Sequence, residues 1–136
     1  MNLEVETSLA AWLRATPAFD GIPVHTGQSS DPIPNDQPVL IVGVESTELV
    51  VRGLYKVTAS IVLATPSVVE AALENHTALA TALRDSLLAA DQLAASFAAP
   101  LTLAGADLTT WSESQQEGRW LTTASLLLGL IHAPAI

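Results

Sequence analysis

Hydrophobic and polar positions fall into four kinds of segment along the chain. From Asn2 to Ala15, Val5, Leu9, Trp12 and Leu13 recur at helical spacing, which predicts an amphipathic helix. Glu4 and Glu6 lie in its first turn, where negative charge favours the helix dipole. Thr16-Pro17 ends it, because a residue before proline avoids the α region. Phe19 to Pro38 holds Pro23, Pro32, Pro34 and Pro38, with a short strand expected at Ile22 to Thr26 and an extended polar loop over residues 27–37.

Val39 to Glu45 is an apolar, β-branched run and predicts a buried strand; Ser46 to Glu48 is expected to turn the chain. From Leu49 to Ala64 the pattern alternates, with Val51, Tyr55, Val57, Ala59, Ile61 and Leu63 against Arg52, Lys56, Thr58 and Ser60. That period of two predicts an antiparallel strand with one buried face, forming a hairpin with the strand before it. Thr65-Pro66-Ser67 has the form of a helix start, and a helix is expected from there to about Ala90. Val69, Leu73, His76, Ala80, Leu83 and Leu87 make its apolar stripe. Asp91 to Ala106 is ambiguous, since Pro100 and Gly105 interrupt a run of alanines. Asp107 to Ser114 and Arg119 to Ala133 predict a second hairpin turning at Gln115 to Gly118. Leu126 to Ile131, apolar on both faces, is expected to be a central strand.

These elements predict one α+β domain over residues 1–136: an antiparallel sheet of two hairpins packed against a long helix, with an N-terminal helix. The chain has 136 residues, enough for one core. Charge then changes the picture. Only 14% of residues are charged, while 49% are hydrophobic. A solitary soluble domain carries a more charged surface, so partner chains are expected to cover part of this one. The net charge is −9, and the cations are Arg14, Arg52, Lys56, Arg84 and Arg119. Five scattered cations do not make a nucleic-acid footprint. The N-terminal residues lack the form of a signal peptide, and no apolar run is long enough to span a membrane.

A search for chemistry yields no catalytic residue, cofactor site or metal site. His25, His76 and His132 lack metal-ligand spacing. His76, on the apolar stripe, reads as a half-buried residue with one ring nitrogen bonded to the sheet. Glu70 and Glu74 are expected on one solvated helix face, and Glu113 and Glu117 beside a turn. Glycine-rich phosphate loops and a GxSxG elbow are absent from the sequence. Trp111 and Trp120, on the two arms of the last hairpin, are candidates to pair across it.

The order of elements resembles a known family. A first helix and a Pro-rich segment are followed by PVLIVGVESTE, the strand GLYKVTASIVLATP, the helix ENHTALATALRDSLL and a hairpin ending WLTTASLLLGL. This succession, across nearly the whole chain, resembles the tail terminator (tail completion) proteins of tailed bacteriophages and phage-like particles. The resemblance implies a homo-hexameric ring that caps the tail tube, stops its polymerisation and joins it to head and neck connector proteins. DNA would pass through the ring without sequence-specific binding, a passage that an acidic lumen tolerates. The expected place is the virion tail or neck, assembled in the host bacterial cytoplasm without a membrane. The alternatives are a head-completion or neck protein, or a small-molecule-binding α+β domain with His76 in a pocket. Partner contacts are expected at Asp31, Ile33, Asn35, Asp36, Glu48, Gln116 and Glu117. The long strands Leu49 to Ala64 and Arg119 to Ala133 are the expected edges for subunit pairing.

Overall fold

A computed structural model describes residues 1–27 and 36–132. In chain order the elements are α1 (Asn2–Ala15), a 3₁₀ turn (Pro17–Phe19), β1 (Val24–Thr26), β2 (Val39–Val51), β3 (Leu54–Pro66), α2 (Ala72–Leu87), α3 (Ala90–Ala94), β4 (Leu101–Gln116) and β5 (Arg119–His132). The five strands make one mixed sheet in the order β1-β2-β3-β5-β4. β1 runs parallel to β2, and every other neighbouring pair is antiparallel.

This corrects the expected architecture of two hairpins beneath one long helix. The sheet gains a fifth, parallel strand, and three helices share its covered face. α1 contributes Val5, Leu9, Ala10, Trp12 and Leu13 to the core, α2 contributes Ala80, Leu83 and Leu87, and α3 contributes Leu93. They pack on Leu40 and Val42 of β2, Val57 to Leu63 in alternation on β3, and Ala124, Leu126, Leu128 and Leu130 of β5. Alternation puts Thr58, Ser60, Val62, Thr123, Ser125 and Leu127 on the opposite face, where each is half-buried. All the helices therefore serve one side of the sheet.

Three boundaries differ from the sequence reading. Ser46 to Glu48 does not turn: β2 continues to Val51, and the reversal comes at Arg52-Gly53. Irregular pairing at Val44/Ser46 and Leu49/Val51 lets the strand pass through this polar stretch. α2 begins at Ala72, not at Thr65 to Ser67. β3 instead runs on through Pro66, whose partner is Arg119, and the Ser67 N–H donates to Gly118 O at 2.9 Å. β2 starts opposite Ala64, so Pro66 has a neighbouring strand on one side only and its missing donor costs nothing there. β4 starts at Leu101, with irregularities at Leu103/Gly105 and Leu108/Thr110 that hide its period in the sequence.

Two contacts hold α1 to the β1 side of the sheet. Arg14 Nη2 donates to Val24 O at 2.9 Å. Glu6, buried although its side chain is polar, accepts the Val44 N–H at 3.2 Å. It satisfies a backbone donor of β2 just past the last residue that β1 pairs, Val42. Gly27 lies close beside this side chain: a Cβ there would stand 2.8 Å from Glu6 Oε1, so the glutamate tip would have to shift to admit one.

Candidate functional site: assembly surfaces

The seven residues expected at partner contacts divide into three groups. Asp31, Ile33 and Asn35 lie outside the described residues, as does most of the 27–37 loop. Asp36 is exposed, three residues before β2. Glu48 sits within β2, opposite Lys56, rather than in a turn. Gln116 ends β4, and Glu117 occupies the β4–β5 turn. Lys56 and Pro66 are ten residues apart on one strand, so Glu48 and the Gln116-Glu117 tip stand roughly 33 Å apart, at opposite ends of the sheet. They do not form one site.

The long strands expected to supply pairing edges are interior. β3 lies between β2 and β5, and β5 between β3 and β4. Among the described residues the unpaired edges belong to β4 along its length and to β2 beyond Val42, where β1 has ended. Trp111 and Trp120 share the helix-covered face but do not oppose each other; Trp111 faces Ala124 and Trp120 faces Gln115.

The histidines take separate roles. His76 is 3% exposed, deeper than the half-buried position expected. Both ring nitrogens are bonded: Nδ1 lies 2.8 Å from Thr65 Oγ1 on β3, and Nε2 lies 2.7 Å from Thr122 Oγ1 on β5. The ring thus ties α2 to the two central strands. Burial holds its pKa below the ordinary histidine value, with the carboxylate of Glu113 opposing that shift in part. His25 lies on β1, and His132 ends β5. Glu70 and Glu74 do not share a helix face, because Glu70 precedes α2. Among the described residues no cluster of His, Cys, Asp or Glu could hold a metal ion. No described helix is long and apolar enough to cross a membrane.

An open cavity of about 440 Å³ lies between α1, the segment before β4 and the end of β5. Its walls include Leu3, Thr7, Tyr55, Pro100, Leu101 and His132; His76 is not among them. The surface residues that sequence reasoning missed are apolar. Leu49, Val50 and Val51 are exposed around the β2–β3 turn, with Ile131 beside them on β5, across from Leu54. At the other end of the sheet Val68, Val69 and Leu73 are exposed around the start of α2, Val68 at 87%. The signal was present in the sequence: both groups sit where a strand or helix pattern carries apolar residues past the end of its own core.

No family model and no curated protein matches the chain. One solved structure, whose designation is a sequence label that says nothing of activity, shares the fold at a TM-score of 0.50 and 15% identity. The match covers 98% of this chain and 94% of the other. At that identity the likeness is one of fold alone.

Proposed function

We propose that this chain is a structural component of a bacteriophage or phage-like tail. Copies of it form a homo-hexameric ring in the virion that caps the tail tube, stops its polymerisation and joins it to the head and neck connectors. The observation that carries the reading is apolar exposure at both ends of a charge-poor fold. Leu49, Val50, Val51 and Ile131 at one end, and Val68, Val69 and Leu73 at the other, are left to water by the isolated chain. Exposed apolar surface at distinct places marks interaction sites. The succession of elements resembling tail terminators supplies the kind of assembly. A net charge of −9 suits a ring through which DNA slides without being held. His76 supports no competing pocket chemistry, since both its nitrogens are engaged inside the core.

The test is to add the purified chain to a polymerising tail tube protein and measure tube lengths by electron microscopy. Shortened tubes with a ring at one end are expected. Unchanged tube lengths, with the chain remaining in the supernatant when tubes are sedimented, would overturn the proposal. Binding to connector rings but not to tubes would assign the chain to the neck instead.

A further inference from the structure

The two apolar ends differ in charge as well as in place. At the β2–β3 tip, the segment Leu49 to Tyr55 contains one charged residue, Arg52, which is exposed. Glu48 and Lys56 flank it, face each other across the hairpin and offset one another. At the opposite end, the segment Ser67 to Glu74 contains Glu70 and Glu74, both exposed, among Val68, Val69 and Leu73. Leu54 and Pro66 are twelve positions apart on β3, so the two surfaces stand roughly 40 Å apart on a single strand. They cannot meet within one chain. They are also unlike: one is a hairpin tip with a cation, the other a turn and helix start with two carboxylates, beside which the β4–β5 turn sets Glu117 and Arg119, leaving that end net negative.

We infer that the β2–β3 tip of one copy docks on the segment before and at the start of α2 of a second copy, burying Val51 against Val69 and setting Arg52 beside Glu70 and Glu74. The occupant is a second copy because the same chain carries both members of a charge-complementary apolar pair. Two tips meeting each other would bring Arg52 against Arg52, and two helix starts would bring together two ends that each stay net negative after Arg119 is counted; both arrangements are repulsive. A contact between two different surfaces is heterologous. It repeats from copy to copy and closes into a ring when the rotation allows. This rests on the ring-forming reading above and deepens it, since it places the subunit interface at the ends of the sheet rather than along strand edges.

Pure full-length chain, analysed by sedimentation velocity and native mass spectrometry over a concentration series, tests the contact without any tail component. Wild type is expected to assemble beyond a dimer as concentration rises. Val51→Glu with Arg52→Glu disables the tip, and Val69→Arg with Leu73→Arg disables the helix start. Every one of these positions is exposed, so folding should be kept, and circular dichroism checks it. Each double variant alone should have its self-association weakened by about a hundredfold or more. Mixed in equal amounts they should give a one-to-one dimer, since each retains the surface that the other lacks. A separate swap adds an internal control. Arg52→Glu should weaken assembly, and Arg52→Glu combined in the same chain with Glu70→Arg and Glu74→Arg should restore it. A wild type that stays monomeric at its highest soluble concentration would overturn the inference. So would an assembly that both double variants leave intact, or a mixture that yields no dimer. The tube-length experiment is independent of this one. A monomeric chain that still caps tubes sinks the interface and not the function, and a chain that forms rings yet ignores tubes does the reverse.

Discussion

His76 is the residue where burial, hydrogen bonding and protonation meet. Its ring fills the space between α2 and the two central strands, and both of its partners, Thr65 and Thr122, are themselves buried. The sequence placed it on the apolar stripe of α2 but could not give the second hydroxyl, because Thr122 lies 46 residues away on β5. A protonated ring would put charge into a site with little water, and burial accordingly depresses its pKa. In the unfolded chain the imidazole takes its proton near pH 6.5. Below that value the unfolded state holds a proton that the native state still refuses, so unfolding is favoured. The contribution of His76 to stability is therefore full above about pH 6.5 and is lost as the pH falls toward the depressed native pKa. Urea unfolding at several pH values should show this decline. In His76→Leu the decline over that window should flatten, while stability at neutral pH drops by about 1–3 kcal/mol as the threonine hydroxyls lose their partner. An unchanged slope in the leucine variant would show that another group carries the pH dependence.

Among the elements, those with a clean period were legible and those with irregular pairing were not. α1 is bounded as its apolar spacing predicts, because Thr16-Pro17 gives a local stop. β5 is central, as the run Leu126 to Ile131 implies. The failures have local causes. Bulges in β2 and β4 shift the alternation by a residue, so a strand appears to end where it only slips. Thr65-Pro66-Ser67 has the composition of a helix cap, yet long-range pairing with Arg119 and Trp120 keeps it in β3. β1 lies within the short strand expected at Ile22 to Thr26, but three residues carry no period from which its parallel pairing with β2 could be read. Of the expected contact residues, Asp31, Ile33 and Asn35 lie outside the described residues and Asp36, Glu48, Gln116 and Glu117 are exposed; the apolar ends of the sheet are a further exposed surface that the pattern did not single out. The β4–β5 turn offers a direct check of the geometry. Glu117 and Gly118 both have positive φ, 49° and 77°, which is the two-residue turn that favours Asn-Gly. Glu117→Asn should raise the thermal midpoint, with a gain of up to about 1 kcal/mol from relief of a left-handed conformation that glutamate adopts at a cost. A midpoint that falls would mean that the glutamate side chain makes a contact worth more than the strain.

For the whole molecule the governing fact is that the helices cover one sheet face over β2, β3 and β5, while among the described residues apolar side chains stay exposed at the sheet's two ends. Surface of this kind makes stability depend on company. If the ends are buried only between copies, native chains are drawn into assemblies and unfolding must first release them, so apparent stability rises with protein concentration. An isolated two-state domain shows no such dependence. The thermal midpoint of the wild type should therefore climb as its concentration is raised, and the Val51→Glu, Arg52→Glu chain should unfold at a midpoint independent of concentration. At high dilution the two curves should converge, because the substituted positions are exposed in the single chain and contribute little to its own core. Raising the salt should lower the wild-type midpoint at intermediate concentrations by screening Arg52 from Glu70 and Glu74, while leaving part of the concentration dependence in place through the apolar contact. A wild-type midpoint that does not move over the whole accessible concentration range would mean that these ends are held by some other component or by none, and the heterologous contact would have to be abandoned whatever the chain does at the end of a tube.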